Sequence, residues 1–307
     1  MKHLTTLYDL DRADIVEILE TSAELKQKFL AGERPALLQG RMLAQLFDKP
    51  SLRTRVSFEA AMIQLGGGVT FFSSKEAGLQ GRESLADVAR VLGSYSDVIV
   101  MRTFSQSLIE DFARLCRCPV INGLSDDFHP CQALADVLTL REVFGDLKKK
   151  RLVYVGDGNN VAASLAIIAA QLKLSMTVCT PKDYALSDEF LVDLKKRIPS
   201  ADIATSNDPK QAVANADVIY TDVWASMGQE AEADKRQQVF APYQVNAELL
   251  AAAPRHCRFM HCLPARRGIE VTDDVMDSPH SIVFQQAENR MHLAKGLMVW
   301  LLQPKTA

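Results

Sequence analysis

Met42-Leu43-Ala44-Gln45-Leu46-Phe47-Asp48-Lys49-Pro50-Ser51-Leu52-Arg53-Thr54-Arg55 runs from an apolar segment through a polar turn into a helical pattern. Met42 to Phe47 reads as a buried strand, and Thr54 to Leu65 as a helix stopped by Gly66-Gly67-Gly68. The same alternation spreads outward. A helix is predicted over Asp11 to Leu30, then strands at Val69 to Phe72, Val98 to Met101 and Val120 to Asn122, separated by helices at Ser84 to Gly93 and Gln106 to Cys116. Beyond Gly145 and Lys148-Lys149-Lys150-Arg151, which mark a break, a second series begins. Its strands are Leu152 to Val155, Met176 to Cys179, Ile203 to Thr205, Val218 to Thr221 and Phe259 to Met260, with helices at Val161 to Leu172 and Asp188 to Arg197. Strands alternating with helices predict an α/β chain of two domains, each a parallel sheet flanked by helices, with an interdomain active-site cleft. The expected boundaries are 1–145 and 146–286, the last helix, Ala287 to Leu302, packing back on the first domain within 287–307.

The turn after the first strand carries chemistry. Ser51, Arg53, Thr54 and Arg55 gather hydroxyls and guanidiniums at a helix start, where unpaired N–H groups and a partial positive charge favour an anion. Guanidinium forks match phosphate oxygens, and Pro50 fixes the entry to the turn. The competing reading is a solvated basic helix start. Further polar clusters at strand ends, where ligands of parallel sheets bind, favour the phosphate site.

Composition narrows the class. The 307 residues are 48% hydrophobic and 24% charged with a net charge of −3, values of an ordinary globular chain without an electrostatic footprint for nucleic acid. No apolar run approaches the roughly 18 residues of a membrane span. Met1-Lys2-His3-Leu4 has no secretory pattern, so a cytoplasmic enzyme is expected. Six cysteines are scattered, and Cys116 and Cys118 lie too close together for a two-residue zinc knuckle, so no metal is expected.

Further clusters follow predicted strands in turn. Arg102 ends one strand, and His129-Pro130-Cys131-Gln132 follows the next, placing an imidazole and an amide on one face of a helix start. Gly156-Asp157-Gly158-Asn159-Asn160 resembles a dinucleotide turn, but the third glycine of that fingerprint falls at Val161. Asn159 and Asn160 suit a small polar ligand instead. Asp222-Val223-Trp224-Ala225-Ser226-Met227-Gly228 offers a carboxylate for an amino group, and His261-Cys262-Leu263-Pro264 sets a thiol and an imidazole at the same rim.

Taken in order, Phe47 to Arg55, His129 to Gln132, Asp222 to Gly228, His261 to Pro264 and Ala287-Glu288-Asn289-Arg290 resemble the aspartate/ornithine carbamoyltransferase family, and its ornithine branch most closely. The resemblance implies transfer of a carbamoyl group from carbamoyl phosphate to the side-chain amine of L-ornithine, without a cofactor. It implies that Ser51, the Leu52 backbone, Arg53 and Thr54 hold the phosphate. Arg102 and His129 would polarise the carbamoyl oxygen, Gln132 would orient the carbamoyl amide, and Arg290 would complete the group. Asn160, Asp222, Ser226 and Met227 would bind ornithine, with Cys262 and the Leu263 backbone where the substrates meet. The catalytic residues are then Arg53, Arg102, His129 and Cys262. A homotrimer is also implied, residues 78–84 reaching a neighbouring copy's site. An amine with a pKa near 10 must lose a proton, and Cys262, Asp222 or the departing phosphate can take it. The alternatives are a carbamoyltransferase acting on putrescine, acylated ornithine or aspartate, and a non-catalytic Rossmann-like nucleotide-binding module.

Overall fold

The computed structural model of the chain describes residues 2–79, 81–225 and 232–303. It divides into two compact units, Met1–Leu138 with Glu288–Ala307, and Thr139–Ala287.

The first unit contains α1 (Arg12–Leu30), β1 (Met42–Phe47), α2 (Leu52–Gln64), β2 (Gly68–Ser73), α3 (Leu85–Tyr95), β3 (Val98–Arg102), α4 (Gln106–Leu115), β4 (Val120–Leu124) and the opening of α5 (Pro130–Phe144). Its four-stranded sheet runs β2-β1-β3-β4, and every pairing is parallel. The helices start where local chemistry supplies a cap. Asp11 makes a reciprocal capping box with Asp14 on α1, and Ser51, Ser84 and Ser105 each accept a first-turn amide on α2, α3 and α4. Strand order reverses at the β1/β3 pair, which brings Phe47 beside Arg102. That is the switch point at which a doubly wound sheet presents ligand groups. Beneath it, Leu46, Ile99, Met101, Ile109 and Phe112 form a continuous apolar core.

The second unit contains β5 (Arg151–Val155), α6 (Asn160–Leu172), β6 (Ser175–Cys179), α7 (Asp188–Arg197), β7 (Ile203–Ser206), α8 (Pro209–Val213), β8 (Val218–Thr221), α9 (Ala233–Phe240), α10 (Ala247–Ala251), β9 (Arg258–His261), α11 (Asp273–Met276) and the first turns of α12 (Val283–Leu302). Its five strands run β7-β6-β5-β8-β9, again all parallel, with the switch point between β5 and β8. Val153, Ile219, Trp224, Phe240 and Phe259 belong to its core. Each such large apolar side chain contributes about 2–3 kcal/mol on burial.

The division between the compact units falls inside α5 and α12; in the lysine run Lys150 pairs with Asp217 at 3.0 Å, and Arg151 opens β5. Two expectations change. The last helix begins at Val283, so Arg290 sits two turns inside it rather than near its start. Four short helices, α8 to α11, occupy segments predicted as connections. Among the described residues no helix is long and apolar enough to cross a membrane.

Candidate active site

In the first unit, the C-terminal ends of β1 and β3 collect cations around one buried imidazole. Ser51 caps α2 by accepting the Thr54 amide at 3.2 Å, and Leu52 opens the helix with its side chain 75% exposed. Only its backbone is therefore placed to act, and first-turn amides have no carbonyl acceptor within the helix. Thr54 is turned inward and buried. Its hydroxyl lies 3.5 Å from the guanidiniums of both Arg102 and Arg290. Gly123 makes room for it, since a Cβ there would meet the Thr54 methyl at 3.3 Å and the Met101 carbonyl oxygen at 3.1 Å.

Arg290 links this hydroxyl to α5. Its guanidinium lies 3.4 Å from His129 Nε2 and donates to the Gln132 side-chain carbonyl. The Gln132 amide nitrogen donates to Asp136 Oδ1 at 2.8 Å, which fixes which end of the amide faces Arg290. Asp136 thus orients the Gln132 amide through an i, i+4 contact that no motif marks. At the other end of the Ala287 to Arg290 motif, Asn289 accepts from Lys26 of α1 at 2.8 Å, anchoring this stretch of α12.

His129 is held well below its ordinary pKa, first by burial and then by Arg290, Arg102 and Arg53. It is neutral at physiological pH and offers one ring N–H. Arg55 takes no part here: Glu59 accepts from it at 2.8 Å, and its guanidinium stacks 3.9 Å above Phe71. Of the two guanidiniums expected of the turn only Arg53 of α2 reaches this cluster, and Arg102 and Arg290 join it from distant segments.

The second unit gathers groups of opposite sign at the β5/β8 switch point. Asp222, just past β8, accepts from Cys262 Sγ at 2.9 Å and from its own neighbour's amide, Val223, at 2.8 Å. Its other oxygen accepts from Asn159 Nδ2 at 2.9 Å. Asn159 is therefore an orienting residue rather than a ligand group. Its carbonyl caps α6 through the amides of Val161 and Ala162 and accepts the Tyr154 hydroxyl at 3.2 Å. Asn160 is the first residue of α6. Ser226 and Met227 lie outside the described residues.

The glycine turn after β5 serves packing. A Cβ on Gly158 would meet the backbone of Tyr184, Ala185 and Leu186 at 2.6–2.7 Å, so the turn presses against that segment. Asp157 beside it is buried, and Arg236 bridges it to the Trp224 carbonyl at 2.9 and 2.8 Å. Burial raises the Asp157 pKa to about 6 against the pull of Arg236. Tyr154 is pushed well above its usual value by burial, then by Asp222, Asp157 and Cys262.

His261 lies close to the thiol, but both of its ring nitrogens are already engaged. Its Nδ1 accepts the Leu263 amide at 2.9 Å, so Nε2 carries the proton and donates to the buried Glu270 at 3.1 Å. The role left to it is to shape the turn that follows, where Leu263 has φ 57° and the Leu263-Pro264 bond is cis. The Leu263 N–H is spent on this turn, which leaves its carbonyl as the backbone group to consider. Asp222, His261 and Cys262 place ligand-type atoms within 4.8 Å of one another, yet both His261 nitrogens already have protein partners.

The arrangement defines a class: a two-unit α/β protein with a cluster of arginines on one parallel sheet and a carboxylate–thiol pair on the other. Residues 2–142 match the family model described as the aspartate/ornithine carbamoyltransferase carbamoyl-P binding domain, and residues 148–301 match the Asp/Orn binding domain of the same family. The chain belongs to the aspartate/ornithine carbamoyltransferase family. It is 49% identical over 303 residues to the ornithine carbamoyltransferase of Anoxybacillus flavithermus, covering 98% of this chain and 96% of that one. A relative from Pyrococcus furiosus, named as an anabolic ornithine carbamoyltransferase, is 46% identical with the same coverage. Among solved structures, the Pyrococcus furiosus ornithine carbamoyltransferase superposes with a TM-score of 0.94 at 46% identity, covering 98% of this chain and 97% of that one. The anabolic enzyme of Campylobacter jejuni gives 0.91 at 34% identity, covering 98% and 99%.

Proposed function

We propose that the chain transfers the carbamoyl group of carbamoyl phosphate to the side-chain amine of L-ornithine, yielding L-citrulline and phosphate. The observation that carries this reading is the opposite sign of the two clusters. Every charge that depresses His129 is an arginine, so the potential there is positive. The carboxylates that raise Tyr154 are Asp222 and Asp157, so the potential there is negative. A phosphorylated donor suits the first cluster and a cationic amino acid the second.

In this scheme the α2 amide of Leu52, with Ser51, Arg53 and Thr54, takes the phosphate. Arg102 and the neutral His129 donate to the carbamoyl oxygen, where charge builds as the amine attacks. One such donor supplies roughly 3–4 kcal/mol in the transition state. Gln132, its carbonyl directed by Asp136 and Arg290, accepts from the carbamoyl amide. Asp222 binds the α-ammonium of ornithine, with Asn160, Ser226 and Met227 completing the grip and Cys262 and the Leu263 backbone lying where the reacting groups meet. Cys262 donates its S–H to Asp222 at 2.9 Å, so in this arrangement neither group is presented to the amine as a ready acceptor. The departing phosphate is therefore assigned as acceptor of the amine's proton, and no step needs a cofactor.

The family resemblance further implies trimer-based assembly with the 78–84 segment serving a neighbouring copy, a cytoplasmic place and a role in arginine biosynthesis. The domain limits 1–145, 146–286 and 287–307 belong to the same proposal. Product identification decides the chemistry. Carbamoyl phosphate is supplied in parallel with ornithine, putrescine, an acylated ornithine and aspartate. Citrulline should form at a kcat/KM far above that of the other products, and equal or greater turnover of another amine would overturn the assignment. Sedimentation velocity showing only monomer would refute the assembly.

A further inference from the structure

Cys116-Arg117-Cys118 joins α4 to β4 and has no part in the clusters above. The two sulfur atoms lie 3.5 Å apart, Cys116 partly exposed and Cys118 buried. The space is built for them. A Cβ on Gly93 of α3 would stand 2.6 Å from Cys116 Sγ, so only glycine there leaves the thiol its place. Cys118 is locked among Ile99, Phe112 and Val120, while Cys116 packs at the edge of that core. One sulfur is thus fixed in the core, and the other faces it from a partly exposed residue.

We propose that Cys116 and Cys118 form a reversible dithiol–disulfide pair, a modification site that exchanges with low-molecular-weight disulfides of the glutathione type. Cys116 is the attacking thiol. Its thiolate accepts from the Cys118 S–H and from the Cys118 and Arg117 amides, which together bring its pKa down to about 7 against the effect of burial. Cys118 is shifted upward by the same contact, and by burial, and keeps its proton until the second step. First, the Cys116 thiolate attacks one sulfur of glutathione disulfide. The Cys116–glutathione bond forms, the glutathione S–S bond breaks, and one glutathione thiolate leaves. Cys118 then gives its proton to that thiolate and attacks the Cys116 sulfur, expelling the second glutathione as a thiolate. The cysteine pair loses two electrons and the reagent gains them. Closure brings the sulfurs from 3.5 Å to a bond of about 2 Å.

The test uses the full chain. It is equilibrated at neutral pH with glutathione disulfide, unfolded, alkylated with iodoacetamide and cut with a Glu-specific protease, so that Cys116, Cys118 and Cys131 share one fragment, residues 111–142. The expected fragment is lighter by two hydrogens and alkylated only at Cys131, and dithiothreitol restores alkylation at all three. Cys118→Ser should stop at the intermediate, with one glutathione held on Cys116, and should slow alkylation of Cys116 severalfold in the folded protein. Carbamoyl transfer by both Cys118→Ser and Cys116→Ser should match that of the unsubstituted chain. Full alkylation of all three cysteines after exposure, or a glutathione adduct on Cys116 that persists with Cys118 present, would overturn the proposal.

Discussion

Substituting Asn159 separates structural from electrostatic roles within one side chain. In Asn159→Ala the amides of Val161 and Ala162 lose their cap, which costs about 1 kcal/mol. The Tyr154 hydroxyl, in a fully buried residue, loses its acceptor for a further cost of about 1–3 kcal/mol. The sum, about 3 kcal/mol, lowers the melting temperature of a unit this size by roughly 6–12 °C. Asn159→Asp keeps the cap and the acceptor but replaces the donor at Asp222 with a second carboxylate, 2.9 Å away in the present geometry. Two carboxylates so close share a proton, and the pair titrates above the normal range. A folded-state pKa above the unfolded value gives stability that is complete at low pH and is lost as pH rises through the folded value. The Asp variant should therefore melt near the unsubstituted protein at about pH 4 and fall progressively behind it as pH rises. The Ala variant should trail by the same margin throughout. Both should raise KM for ornithine and leave KM for carbamoyl phosphate unchanged. Thermal unfolding between about pH 4 and 8 with steady-state kinetics measures all of this. An Ala variant melting within a degree or two of the parent, or a pH-independent Asp variant, would refute the reasoning.

Arg53→Ala or Arg102→Ala is expected to lower turnover at least about a hundredfold, read by citrulline formation at saturating substrates; near-normal turnover would remove that arginine from the scheme. Asp136→Ala frees the Gln132 amide to turn over and should lower kcat roughly tenfold to a hundredfold with melting little changed, whereas unaltered kcat would show that Gln132 needs no such support. Asp157 binds its proton more tightly folded than unfolded, so it withdraws stability as pH rises from 3.8 toward about 6. Asp157→Asn, which keeps an acceptor for Arg236, should gain on the parent across that window by up to about 3 kcal/mol in denaturant unfolding, and a constant difference would refute the shifted pKa. Cys262→Ser should weaken ornithine use more than stability, and unchanged kinetics would make the thiol a bystander.

Legibility in the sequence followed the reach of the forces involved. The strands Met42–Phe47 and Val218–Thr221 and the helix Asp188–Arg197 are found with the limits read from apolar periodicity and capping residues. Periodicity fails where the interior is polar. Strand β4 continues past Asn122 because that buried amide donates to the Thr5 carbonyl and to Gln106, partners far away in the chain. Helix α12 starts early because Gln286, Asn289, Arg290, His292 and Lys295 are all buried along it and disguise its apolar stripe. Helices α8 and α10 carry sound caps at Asp208 and Asn246, but five residues cannot announce a helix that only tertiary packing stabilises. At the strand ends, residue type marks the polar clusters, while the direction of each side chain depends on contacts no spacing reveals. Arg55 turns to Phe71, Asn159 to a helix cap, and His261 to Glu270.

The sign of each cluster also bears on which amine is accepted. Aspartate would bring to Asp222 a further carboxylate in place of a second ammonium, next to a residue whose negative field already reaches Tyr154. Desolvating two like charges there costs several kcal/mol, enough to suppress aspartate a thousandfold or more. Putrescine carries the required cations but no carboxylate, so it satisfies Asp222 and leaves any carboxylate-binding donor idle. A donor left idle in a buried site costs about 1–3 kcal/mol, a weaker barrier than the first. The discrimination should therefore be steep against aspartate and shallower against putrescine, an order set by Asp222 before any contact from residues 226–231 is considered.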